Sequence, residues 1–233
     1  GKVFEIADKV ANLPGGRHIL ATALWNEPEE ALKNAKKFIN QPYAKEFIEE
    51  AVGSKPDAGI VYALNYRNLP GGDDILRRAI ETSPPSKGIV FSHAENFRHL
   101  PDAQQILERK AGEIMNYSPD TLMKTFSGYK NFPRAETILA GAMDRAIAHE
   151  YESVDAIIEN FPNYGDVPWT AAYVEKAAER RPDGAVKNFD KYARMHGADK
   201  LFRQSVTALM RMGMYGPLYE GFGSYSRFFP DAE

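Results

Sequence analysis

Residues 42–69 read PYAKEFIEEAVGSKPDAGIVYALNYRNL and run into Pro70. The stretch opens on proline, carries the apolar pair Phe47-Ile48 and the small residue Ala51, breaks at Pro56, and resumes with Ile60, Ala63, Leu64 and Tyr66. Proline fits the first turn of a helix, where its missing N–H would have no partner, and it breaks a helix interior. Two helices separated by Pro56 follow. Spacings of three and four residues put the apolar positions of each on one face.

The pattern recurs in both directions. Openings fall at Pro14, Pro42, Pro70, Pro101, Pro133 and Pro168, so they lie 28, 28, 31, 32 and 35 residues apart, the period of stacked helix pairs. Second prolines stand at Pro28, Pro56, Pro84, Pro119 and Pro182; four follow their opening proline by 14 residues and Pro119 by 18. The apolar pair returns as Ile19-Leu20, Ile75-Leu76, Ile106-Leu107, Ile138-Leu139 and Tyr173-Val174, and the small residue as Ala23, Ala79, Ala142 and Ala177, with Lys110 as the exception. Small residues at that position let neighbouring helices approach closely. Four residues before the next opening stands a ring, Phe38, Tyr66, Phe97 or Tyr129, whose burial contributes about 2 to 3 kcal/mol each. Two residues before it stand Asn12, Asn40, Asn68, His99 and Asn131, a column that reads as a helix stop because asparagine tolerates the left-handed conformation.

The edges depart from the pattern. Val3 to Leu13 match the second half of a unit, an orphan that implies either a cap or a longer natural chain, and the start at Gly1 leaves room for an upstream leader or further repeats. In the unit opening at Pro133 the first helix runs on toward His149, and FPNYGDV (161–167) reads as a turn-rich insertion. After about Met212 the pattern stops, so the division expected is a repeat region over 1–213 and an irregular aromatic, glycine-rich tail over 214–233.

Composition narrows the classes. With 43% hydrophobic and 26% charged residues the chain has a globular balance, and 233 residues suffice for one or two domains. A formal charge of −3 withholds the broad positive field that drives binding to phosphate backbones. Nucleic acid is therefore a disfavoured partner. The absence of cysteine excludes disulfides, thiolate metal sites and cysteine nucleophiles but leaves the compartment open. No apolar run approaches the roughly 20 residues that span a bilayer.

These proline-opened units resemble the αα-repeat superhelices, most closely the HEAT-like and armadillo-type architecture, over about residues 2 to 212. They are shorter than typical HEAT units, and the tetratricopeptide Trp-Leu-Gly-Tyr signature is missing. The resemblance implies an all-α right-handed superhelix of about six helix pairs whose second helices line an inner surface that holds proteins or peptides.

Chemistry-bearing motifs are sparse. His93 and His99 lie six apart in HAENFRH, not at zinc-helix spacing, and His149-Glu150 has no second ligand nearby in sequence. No metal, cofactor or catalytic residue is assigned. Gly15-Gly16 and Gly71-Gly72 in LPGG read as loosened helix starts rather than phosphate loops, and Glu49-Glu50 and Asp73-Asp74 as solvated faces. A DNA-glycosylase-like enzyme would gather cations, yet Arg77-Arg78, Arg109-Lys110 and Arg180-Arg181 are interleaved with acids such as Glu108 and Glu179. Aligning second helices on their ring produces two polar columns: Asn34, Tyr62, His93, Thr125 and Asn188, then Lys37, Asn65, Asn96, Gly128 and Lys191. Stacked hydrogen-bonding ends of this kind form a candidate ladder for an extended peptide backbone; the plainer alternative is the wet face of amphipathic helices. The reading is a non-catalytic scaffold for a protein or peptide, with a helical-repeat enzyme and a structural spacer as alternatives. Tyr215, Tyr219, Phe222, Tyr225, Phe228 and Phe229 make the tail a candidate for self-association.

Overall fold

The computed structural model describes residues 2–148 and 152–228. Among the described residues the chain is all helical, without a strand, and no helix is long and apolar enough to cross a membrane. It divides into two compact halves, 1–110 and 111–233. In the first, the short helices Lys2–Glu5 and Ala7–Val10 lead to Gly16–Asn26 with Pro28–Lys33, Ala44–Ser54 with Pro56–Val61, and Gly72–Thr82 with Ile89–Ser92. Helix Ala103–Ile114 follows. The second half continues with Pro119–Lys124, Ala135–Ala148 with Glu152–Glu159, Ala171–Arg180 with Pro182–Lys187, and Ala198–Arg211 with Gly216–Glu220 and Phe222–Tyr225.

The two sets of prolines do different work. Pro28, Pro56, Pro119 and Pro182 each begin a helix, where the pyrrolidine's fixed φ is already helical. The opening prolines Pro14, Pro42, Pro70, Pro101 and Pro133 sit in the turn, two residues ahead of their helix. In LPGG the glycines are obligatory. Gly71 holds φ at 83°, and a Cβ on Gly72 would lie 2.7 Å from the Tyr66 carbonyl oxygen. Among the described residues only glycines adopt positive φ, so Asn12, Asn40, Asn68 and Asn131 end their segments without the left-handed conformation that the asparagine column suggested.

Six of the second helices are cut short in the same way. Four residues before the ring, Asn34, Tyr62, His93, Thr125, Asn160 and Asn188 hold φ between −94° and −117° and ψ between 4° and 26°, a bridge-region geometry that ends an α-helix. The carbonyls of a helix's last turn lose their intrahelical donors. The ring supplies one replacement. The hydroxyls of Tyr66, Tyr129 and Tyr192 donate to the carbonyls of Gly59, Leu122 and Ala185, seven residues back, at 2.8, 3.0 and 3.0 Å. Tyr164 donates likewise to Ile157 and Tyr225 to Leu218. Phe38 and Phe97 fill the same place without a hydroxyl, wholly or almost wholly buried.

Two departures from the sequence reading come from this register. FPNYGDV is no insertion: Phe161–Asn163 is the closing 3-10 turn of a second helix, and Tyr164 is its ring, fully buried four residues before Pro168. The reading missed it because this second helix, Glu152–Glu159, begins without a proline. Nor is the tail irregular over its described residues, which form the helices Gly216–Glu220 and Phe222–Tyr225. Gly197 takes φ 79° ahead of Ala198–Arg211 as Gly71 does ahead of Gly72–Thr82, and Leu201-Phe202 with Ser205 repeat the apolar pair and small residue. All three are buried. His196 stands where the opening proline should be, so the segment was invisible to a search for proline. Its second part, Gly216–Tyr225, packs on Pro182–Lys187 and Phe189–Tyr192, with Tyr225 5.0 Å from Phe202 in ring-centroid distance.

Candidate binding site

The two polar columns have different uses within the chain. In the first, Asn34 and Asn188 donate to the carbonyls of Glu30 and Gly184 in their own helices at 3.0 and 3.1 Å, and Thr125 donates to Thr121 at 2.6 Å. Tyr62 reaches Glu29 in the preceding segment at 3.5 Å. His93 is half-buried, and burial pushes its imidazole below the ordinary value, toward the neutral form.

In the second column Lys37, Asn65 and Asn96 tie their segments to the one before. Asn65 donates its amide to the carbonyls of Leu32 and Lys33 at 3.3 and 2.8 Å, and Asn96 to those of Ile60 and Val61 at 2.8 and 3.1 Å. Lys37 donates to the Glu5 carbonyl. In the second half Asn163 reaches Lys124 at 3.1 Å and Ser224 reaches Val186 at 3.0 Å. Each acceptor is a last-turn or helix-end carbonyl, five or six residues before the preceding segment's own ring position. The amides that sequence alignment put forward for a peptide backbone are thus engaged with the protein's own backbone. Gly128 has no side chain to contribute.

First helices are joined by charge. Arg17 meets Glu46 at 2.8 Å and Arg109 meets Glu81 at 2.9 Å; Arg77 pairs with Asp102, and Arg180 donates to the Ile147 carbonyl. Lys110, the exception in the small-residue column, is buried with its ammonium 3.3 Å from the Glu81 carbonyl, at the negative end of a helix. Each of these cations is paired with an acid or a carbonyl of a neighbouring segment.

Lys191 differs from the rest of its column. It pairs with its neighbour Asp190 at 3.0 Å and lines an open groove of about 820 Å³ in the second half, together with Lys130, Asp166, Arg194 and His196. Lys130 stands 3.9 Å from Asp166. Arg194 and His196 are exposed. Apolar walls come from Phe161, Val167, Met195 and Phe228. The signal for this site was Lys191 itself; Arg194 and His196 lie in the loop that the sequence reading passed over.

Among the described residues no group of three or more histidines and carboxylates is placed to hold a metal ion. The carboxyl with the most displaced acidity, Asp155, lies in a joint between segments, and neither it nor His93 lines the groove. His149-Glu150 and Phe229 lie outside the described residues. The chain matches no family model, no curated protein and no solved structure.

Proposed function

We propose that this chain is a helical-repeat scaffold, without catalysis of its own, that holds an extended acidic peptide segment of a partner. The repeat reading is supported by the recurrence, at fixed offsets, of the broken second helix, the buried ring and the side-chain donation to the preceding segment. The single observation that carries the peptide reading is the groove, where Lys191, Arg194 and His196 stand over apolar walls with two carboxylates, Asp166 and Asp190, against them. A guanidinium fork suits a carboxylate, and the walls suit the aliphatic parts of a peptide. Asn65 and Asn96 hold segments together and do not contact the ligand in this reading, whereas Lys191 does.

The test is a fluorescence-anisotropy titration with a ten-residue peptide that alternates glutamate and leucine, against its lysine counterpart. The acidic peptide should bind and the basic one should not. Arg194→Glu should weaken binding about tenfold, which corresponds to about 1.4 kcal/mol. Equal binding of both peptides, or indifference to Arg194→Glu, would sink the reading. A second copy of the chain is also a partner in this proposal, through the C-terminal segment rather than the groove.

A further inference from the structure

Charge in the groove is divided unevenly. Among the described residues its charged side chains are Lys130, Lys191 and Arg194 against Asp166 and Asp190, an excess of one positive charge. Each acid already has a lysine: Asp166 stands 3.9 Å from Lys130, and Asp190 3.0 Å from Lys191. Arg194 and its loop neighbour His196 are exposed, and among the described residues neither enters an ion pair. Asp166 and Arg194 also share a register. Each lies two residues beyond its ring, Tyr164 or Tyr192, where Asn40, Asn68 and Asn131 lie beyond theirs. A column that is uncharged at those three asparagines thus carries one acid and one cation, and both line the groove.

We propose that the groove selects a peptide with one carboxylate set among apolar residues, received by Arg194, and that Asp166 and Asp190 turn further acids away. This rests on the peptide reading above and narrows it. A guanidinium takes a carboxylate through two parallel N–H donors, and Arg194 can do so without giving up a partner. A second ligand carboxylate finds only Lys130 or Lys191, and there it must share the ammonium with an acid already beside it. Exposed ion pairs are individually weak, so such sharing brings the ligand no gain, while the resident acid repels it. Discrimination then comes from a repulsive element as much as from an attractive one. Lys191 meets the ligand along its alkyl stem, as long cationic side chains do on apolar surfaces, and Met195, between Arg194 and His196, continues the apolar wall.

The test uses four ten-residue peptides in which leucine alternates with glutamate or glutamine, carrying none, one, three or five glutamates. They are titrated by fluorescence anisotropy against the full chain at about 0.1 M salt, where charges within about 10 Å still act on one another. One glutamate should tighten binding about tenfold over none, and three or five should bring no further gain. Asp166→Asn together with Asp190→Asn, both exposed, should keep the circular dichroism of the wild type and change that order: the five-glutamate peptide should now bind about fivefold more tightly than the one-glutamate peptide. An affinity that climbs with every glutamate on the wild type overturns the selection and leaves the peptide reading standing. A folded double variant that keeps the wild-type order overturns the part given to Asp166 and Asp190. Equal binding of all four peptides, or binding of none, overturns the selection together with the peptide reading.

Discussion

Asp57 and Asp155 occupy the same place in their segments, nine residues before the ring at the start of a second helix, yet their carboxyls are driven in opposite directions. Both are disfavoured as anions by burial. At Asp57 that is outweighed by donors from the following segment, Lys87 at 2.8 Å and Ser83 at 2.7 Å, and its pKa is held below the ordinary carboxylate value. At Asp155 burial wins and pushes the carboxyl up to about 6, although Arg181 stands 2.9 Å away. The reason is sharing. Arg181 also pairs with Asp183 at 2.9 Å, and the second carboxylate raises Asp155 further. One Asp155 oxygen is buried with no donor among the described residues, and Gly184 presses so close to it that a Cβ there would lie 2.2 Å away. A single position in the pattern is therefore a clamp in one segment and a strained joint in another, decided by how many carboxylates divide one cation.

The sharpest break in that comparison is removal of the cation. Arg181→Ala leaves two half-buried carboxylates unopposed and should cost about 2 kcal/mol at pH 7.5, while Lys87→Ala, whose side chain is 59% exposed, should cost about 0.5 kcal/mol. Urea unfolding of both variants measures the difference; equal losses would mean that sharing is irrelevant. Next in size is the charge itself. A carboxyl whose folded value lies above its unfolded one binds protons preferentially in the folded state, so Asp155 costs stability above about pH 6 and the cost is relieved as pH falls toward 4. Asp57, Asp102 and Asp183, held low, work the other way: their contribution is full above the unfolded value of 3.8 and is lost as pH drops through their folded values. The thermal midpoint should rise on going from pH 7.5 to pH 5 and fall below about pH 3.8. Asp155→Asn should remove the rise and add about 1 kcal/mol at pH 7.5, a figure reduced for the group's partial exposure. The smallest effect belongs to the uncharged joints. Asn96→Ala should cost about 0.5 to 1 kcal/mol, with no dependence on pH between 4 and 9 in calorimetry.

Much of this was legible along the chain, for reasons visible at particular residues. Proline advertises itself, so Pro28, Pro56, Pro119 and Pro182 located helix starts, and the ring column at Phe38, Tyr66, Phe97 and Tyr129 located helix ends. Where a segment opens on His196, or a second helix begins without proline at Glu152, the punctuation fails although apolar spacing continues. Leu201-Phe202 and Tyr164 were the marks still available. The polar columns were legible as columns but not in their use. Whether an amide faces a ligand or a neighbour's carbonyl depends on where the preceding helix gives out, and that is set by a backbone break at Asn34, Tyr62 and their equivalents, which carry no common residue type. The groove was legible only through Lys191, because its other cations gather from loops that sequence distance separates.

The ring column has a spectroscopic consequence. Tyr66, Tyr129, Tyr164 and Tyr192 are wholly buried with their hydroxyl protons committed to backbone carbonyls, and burial raises the pKa of all four phenols far above the ordinary value. Ionisation of a phenol so enclosed is opposed by burial and by its hydrogen bond. In a rapid jump into strong base the ultraviolet band of these four phenolates should therefore lag behind that of the exposed tyrosines and follow the parting of the helices, so the native chain reports its own opening without an attached dye.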